Sequence, residues 1–264
     1  MRVTVCELND EPNDLARDWE ALAAHCRAAR SELVLLPEMC FAPWFARTKE
    51  VDSSVWEAAV AAHDAWLPRL GELAPAAVLG SRPVNAGDAR LNEAFVWEAP
   101  RPVDETGGRG YRAAHSKYYL PDEDGFWEAS WYARGDGVFA PIRCGDARVG
   151  FQICTEVWFS GRSRAYGQQG VHIIATPRAT EKATVDKWLV AGRAAAIMAG
   201  AYSLSSNKVN PPGLSADVGG QGWIVDPDGT VLGLTSRETP FVTVDVDLEA
   251  AERAKKTYPR YVKD

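Results

Sequence analysis

Hydrophobic and polar positions recur along this chain with two different periods, and each change of period marks an element. Residues 2–8 alternate enough to predict a strand. Leu15, Trp19, Leu22, Ala23 and Cys26 then follow at spacings of three and four, the stripe of an amphipathic helix that Asn13 or Asp14 can cap and that ends near Arg30. A short apolar strand over 32–36, a helix over 54–70 and a strand over 76–81 come next. Strand–helix–strand–helix–strand predicts parallel pairing through crossover helices.

From Asn92 the pattern changes to strands joined by short turns: 92–97 and 110–115, with Gly107-Gly108 turning between them. Residues 120–136 are irregular and rich in acids and aromatics, and a loop of that length inside a domain is usually functional. A strand pair at 138–144 and 148–153 follows, in which Gly150 is expected to admit a neighbouring backbone. Beyond it the pattern predicts a helix over 160–169, a strand over 171–175, an alanine-rich helix over 185–199 and a strand over 202–206. Residues 221–226 and 231–234 read as a hairpin over Asp228-Gly229, and 241–246 as the last strand. The tail, 248–264, starts helical and is expected to dock on the core or on a partner subunit. No repeat or linker interrupts the pattern, so residues 1–264 are predicted to form one α/β domain.

Composition narrows the function classes. The 29 basic and 36 acidic residues give a net charge of −7 with no basic cluster, which argues against nucleic acid and anionic membranes as partners. No apolar run reaches membrane-spanning length. The five cysteines (6, 26, 40, 144 and 154) form no CxxC pair, and the first strand begins at Met1, leaving no room for a secretory leader. A reducing, cytoplasmic compartment with free thiols is the expectation.

Three chemically distinctive residues each follow a short apolar strand: Glu38, Lys117 and Cys154. Groups at strand ends of a parallel-dominated sheet can converge on one crevice. A thiol there needs a base, which a shielded carboxylate supplies. An ammonium would lower the thiol's pKa and stabilise a developing oxyanion. The plainer readings stand beside this one. A lone cysteine in a strand is more often a packing residue, and Glu38 and Lys117 would serve equally as a surface or structural ion pair.

The segments Leu35-Leu36-Pro37-Glu38-Met39, Ser116-Lys117-Tyr118-Tyr119-Leu120-Pro121 and Gly150-Phe151-Gln152-Ile153-Cys154-Thr155-Glu156 resemble the three signatures of the nitrilase superfamily of carbon–nitrogen hydrolases. Gly125-Phe126-Trp127-Glu128, Arg134-Gly135-Asp136, Asp226-Pro227-Asp228-Gly229 and Tyr258-Pro259 extend the likeness over nearly the whole chain. The resemblance implies a four-layer αββα sandwich. It assigns Glu38 as general base, Lys117 as electrostatic stabiliser, Cys154 as nucleophile, Glu128 as the group that orients the lysine, and the Thr155 backbone N–H as oxyanion donor. It implies attack on an amide, carbamoyl or nitrile carbon, no metal or organic cofactor, and a homodimer or higher even homo-oligomer paired through helices flanking the site. Three departures concern substrate and subunit contacts: Thr155 is small where relatives carry an aromatic, 195–199 lack an Arg-Ala-x-Glu-Asn run, and Arg178 stands where many relatives have a small residue.

Other residues bear on the substrate, expected to be a small molecule. Asp122, Glu123 and Asp124 suggest a cation rim with Trp127, Trp131 and Tyr132 as aromatic faces, or else a solvated acidic loop. Arg178 suggests a carboxylate receptor, or an ion pair with Glu156 or Glu181. Tyr119 joins Trp127, Trp131 and Arg178 as a candidate substrate-binding residue. His115 raises a Cys–His alternative against a packed or capping side chain. Gly219-Gly220-Gln221-Gly222 lacks the lysine and helix of a phosphate cradle and reads as a turn beside the pocket. The chain is expected to be a thiol amidase acting on a small linear amide or N-carbamoyl compound; a nitrilase or a catalytically idle binding protein of the same fold are the alternatives.

Overall fold

The computed structural model describes residues 1–100, 110–210 and 218–262. Its first strand, β1 (Arg2–Asn9), joins two sheets. Residues 2–6 pair antiparallel with β12 (Phe241–Asp245), and residues 7–9 pair parallel with β9 (Tyr202–Val209). Outward from β1 the first sheet runs through β2 (Leu33–Leu35) and β3 (Ala77–Ala86) in parallel, then β4 (Ala89–Trp97) and β5 (Tyr111–Ser116) antiparallel. The second runs from β9 through β8 (Ile173–Arg178) and β7 (Ala147–Phe151) in parallel to an antiparallel β6 (Ile142–Cys144). On the other side of β9 lie β10 (Trp223–Val225) and β11 (Val231–Leu234).

The two sheets pack face to face. Val3, Val5, Leu33 and Leu79 from one meet Val149, Phe151, Ile173 and Leu204 from the other in a single buried cluster. Strand alternation sends the intervening residues outward. On the first sheet Val34, Leu36 and Val78 receive Leu15, Trp19, Leu22, Ala23 and Cys26 of α1 (Pro12–Ala29), each large apolar side chain contributing about 2 kcal/mol. Beside α1 lies α2 (Ser53–Trp66), capped by Asp52. On the second sheet Ile174 packs under α4 (Ser160–Gln168) and α5 (Val185–Ala199), where Tyr166, Ala191 and Ala195 close the layer. The order is helix, sheet, sheet, helix: a four-layer αββα sandwich.

Several elements differ from the sequence reading. The strand before Cys154 ends at Phe151, two residues early, because Gln152 and Ile153 turn away to bond Glu156. Gly150 faces a ring and not a backbone: a Cβ there would lie 2.8 Å from Tyr166. β3 and β4 extend to Ala86 and Ala89, beyond the apolar run, since cross-strand pairing continues past the buried face. The stretch 120–136 contains α3 (Glu128–Trp131). The Gly107-Gly108 turn lies outside the described residues. After α6 (Leu248–Ala254) the tail is pinned to its own core by Arg260, which donates to Ile197 O, Pro227 O and Asp228 Oδ1. Among the described residues no helix is long and apolar enough to cross a membrane.

Candidate active site

Glu38, Lys117 and Cys154 each stand just past a strand end, and the sheet brings all three to one buried floor. Lys117 Nζ lies 2.8 Å from Glu38 Oε1 and 2.6 Å from Glu128 Oε2. Neither Lys117 nor Glu38 is exposed at all. Glu38 Oε1 also accepts from Asn92 Nδ2 at 2.7 Å, while its Oε2 is buried without a partner. Tyr132 donates its hydroxyl to Glu128. The lysine is held at its backbone as well, donating to Asn92 O and accepting from Gly135 N, both at 2.9 Å. Gly135 has to be glycine: a Cβ would sit 2.2 Å from Ser116 O.

Cys154 opens a 3-10 turn (Cys154–Trp158) with φ of 49°, a left-handed conformation that costs a non-glycine residue about 1–3 kcal/mol. Met39, next to Glu38, has φ of 43°. Both are held there by their surroundings. Glu156, two residues on, accepts from Ile153 N at 2.9 Å and Tyr118 N at 2.8 Å, so one buried carboxyl group ties the residue before Cys154 to the residue after Lys117. His115 Nε2 lies 2.8 Å from Glu156 Oε2 and its Nδ1 lies 3.2 Å from Val138 O, so the ring supports this tie.

The electrostatics are those of ionisable groups removed from water. Burial raises the Cys154 thiol pKa, Glu38 adds to the rise, and Lys117 opposes it. Burial raises Glu128 to about 7, against the pull of Lys117. For Lys117 burial acts downward, but Glu128 and Glu38 outweigh it, and its pKa is raised. The lysine is therefore a permanent cation beside a protonated thiol and a carboxylate with a free oxygen. Above this floor opens a cavity of about 220 Å³ whose lining includes Glu128, Cys154, Thr155, Phe126, Trp158 and Trp188.

A carboxylate–ammonium–thiol floor in this fold has relatives. The Carbon-nitrogen hydrolase family model matches residues 2–256. The chain belongs to the carbon–nitrogen hydrolase family. Curated relatives are distant. A probable hydrolase nit2 of Schizosaccharomyces pombe is 27% identical over 136 residues, half of this chain and 49% of the relative. The glutamine-dependent NAD(+) synthetase of Rhodobacter capsulatus is 26% identical over 95% of this chain and 44% of its own length. The Solanum tuberosum N-carbamoylputrescine amidase is 30% identical over 36% of this chain and 29% of the relative. The matches to the first two span about half the length of those relatives. Among solved structures, a Helicobacter pylori carbon–nitrogen hydrolase superimposes with a TM-score of 0.82 at 19% identity, covering 98% of this chain and 94% of that one. An amidase from Nesterenkonia sp. gives 0.70 at 19% identity, covering 96% and 92%. These are nitrilase-superfamily folds, as is this chain.

Within this carbon–nitrogen hydrolase the remaining candidates fall in several places. Thr155 lines the cavity beside Cys154, and Tyr119, stacked on Phe159 with ring centroids 3.5 Å apart, lines an adjoining one. Trp131 is buried among Phe45 and Trp56 and donates to Thr48 O at 2.7 Å, so it backs the wall and does not face a substrate. Trp127 lies under the Lys49 ammonium, 5.0 Å from its ring centre, off the cavity. Of the acids at 122–124 only Glu123 lines the cavity over Cys154. Arg178 is corrected on both counts. It is fully buried, its fork is taken by Ser205, Thr180 and Gln221, and neither Glu156 nor Glu181 pairs with it. Its strand runs two residues past the predicted end, to Arg178 itself, carrying the side chain under α5. His115 engages Glu156, consistent with a packed role. The 219–222 turn borders Glu7 and the Arg178 fork, away from Cys154. Asn92 and Tyr132, which hold the two carboxylates, went unread: Asn92 looks like any strand-opening residue, and Tyr132 like one more aromatic in a crowded loop.

Proposed function

We propose that the chain is a cysteine-dependent hydrolase of a small linear amide or N-carbamoyl compound that releases ammonia through a thioester. The reading is carried by one observation: Glu38 presents a buried, unpartnered oxygen on the same floor as a permanent ammonium and a thiol. Glu38 Oε2 takes the thiol proton as Cys154 Sγ attacks the carbonyl carbon. The Lys117 ammonium and the Thr155 backbone N–H stabilise the oxyanion, with Glu128 and Tyr132 fixing the lysine. Collapse breaks the C–N bond, the amine leaves with the proton held by Glu38, and a thioester remains. Water then gives its proton to Glu38 and its oxygen to the acyl carbon; the second tetrahedral intermediate expels the thiolate, which recovers the proton as the acid departs.

A cavity of about 220 Å³ has the volume share of about seven liquid waters and suits a substrate of few heavy atoms. The printed names of relatives support the class: an N-carbamoylputrescine amidase, and an amidase whose active-site cysteine takes up acrylamide by Michael addition. The test is ammonia and acid release from matched amide, N-carbamoyl and nitrile substrates by the wild type and C154A. Turnover of the nitrile alone makes the protein a nitrilase. No turnover, with Cys154 labelled by a thiol probe no faster than Cys26, leaves a binding protein.

A further inference from the structure

The Arg178 guanidinium is buried without a counter-ion of its own. Nε donates to Ser205 Oγ at 2.7 Å, Nη1 to Thr180 Oγ1 at 2.8 Å and Nη2 to Gln221 O at 2.6 Å, all neutral acceptors. Trp223 and Trp188 flank it, with ring centres 4.2 and 5.7 Å from Cζ. Removing a cation from water costs several kcal/mol unless an anion answers it. The anions within reach belong to the pocket floor and to Glu7. Glu7 meets the guanidinium across one peptide, accepting from Gln221 N at 2.7 Å while Gln221 O takes the arginine's bond.

The backbone at this point also joins the reacting groups. Arg178 O accepts from Glu38 N at 3.2 Å. The N–H of the next residue, Ala179, approaches the Cys154 sulfur closely enough to favour its thiolate. The floor has a charge imbalance that one lysine leaves: Glu38 and Glu128 face Lys117, so ionising Cys154 adds a further negative charge to a site already in excess. Burial lowers the arginine's pKa to about 9, and a Cys154 thiolate, then Glu7 and Glu38, pull it back up. Cys154 in turn faces Glu38, Lys117 and Glu128.

We propose that Arg178 is a positioning residue for Cys154: a second buried cation behind the floor that offsets the second carboxylate and favours the ionised sulfur, while its fork fixes Thr180 and its stack fixes Trp188 in the cavity wall. The inference rests on Cys154 being the nucleophile. Arginine suits the task because its fork satisfies three neutral acceptors while its charge survives burial.

Alkylation of the intact chain by iodoacetamide, a neutral reagent, tests this without any substrate. The rate at Cys154 is read by peptide mass spectrometry from about pH 6 to 10. R178M is expected to react about tenfold more slowly near neutrality, with its profile displaced about one unit upward. R178K, which keeps the charge, is expected to stay within about threefold of wild type. If R178M lacks a native far-UV circular dichroism spectrum, R178Q replaces it. A folded charge-removing variant with the wild-type profile overturns the proposal. So do R178K and R178M slowed equally, since packing alone would then account for both. Wild-type Cys154 reacting no faster than Cys26 removes the nucleophile reading itself, a result separable from either of those.

Discussion

His115 Nε2 and Glu156 Oε2 are 2.8 Å apart in a site closed to water, and this pair braces the one carboxyl group that spans both halves of the floor. Glu156 receives the N–H of Tyr118 from the strand that ends at Lys117 and the N–H of Ile153 from the turn that holds Cys154. The spacing of ammonium and sulfur is thus set by a residue that reaches neither reacting atom.

Glu156→Ala should therefore cost both stability and turnover. It leaves two buried N–H groups and an imidazole without their acceptor, at about 1–3 kcal/mol for each unpaired group. A loss of at least about 3 kcal/mol in urea unfolding is expected, with kcat falling further than KM rises. A variant as stable as wild type would show that the clamp is incidental.

Cys154→Ala should separate chemistry from folding. The side chain is small and the left-handed backbone is retained, so stability should change by less than about 1 kcal/mol. Ammonia release should disappear. Residual turnover above the uncatalysed rate would assign the nucleophile elsewhere.

Lys117→Met removes the only cation between two buried carboxylates. Breaking such a pair from one side costs about 3–5 kcal/mol, because the charge left behind stays out of water. Adding Glu128→Gln to that variant should restore part of the loss. Strict additivity of the two substitutions in a thermodynamic cycle would refute the coupling.

His63 should make the fold acid-sensitive. Burial holds its pKa at about 3, and the contacts agree with a neutral ring: Nδ1 donates to Ala59 O at 2.7 Å and Nε2 accepts from Phe41 N at 3.3 Å. In the unfolded chain the ring titrates near ~6.5. The folded state binds fewer protons between these values, so the stability is present above pH ~6.5 and is lost as pH falls toward ~3. The full contribution is on the order of 4 kcal/mol. Phe41 lies on the loop that carries Glu38, so activity should fall with it. Urea unfolding of His63→Gln across this range should be flatter than wild type; parallel curves would put the acid sensitivity on other groups.

Much of this protein follows from local pattern. The five apolar residues of α1 at helical spacing are the five it buries. Glu38, Lys117 and Cys154 follow short apolar strands, and their motifs lie in the order that the family match reproduces over residues 2–256. Periodicity reports which face of an element is apolar, and that is a property of neighbours in the chain. Partners across 54 residues, as for Asn92 and Glu38, or 38, as for Tyr118 and Glu156, depend on strand register, which exists only once the sheets have paired. Arg178 carries the same lesson. Its charge predicts a surface or a ligand, and only the packed tertiary structure turns it inward, where two indoles and three neutral oxygens replace water. Local sequence determined the elements and the reacting groups; the long-range pairing of two sheets decided which side chains hold those groups in place.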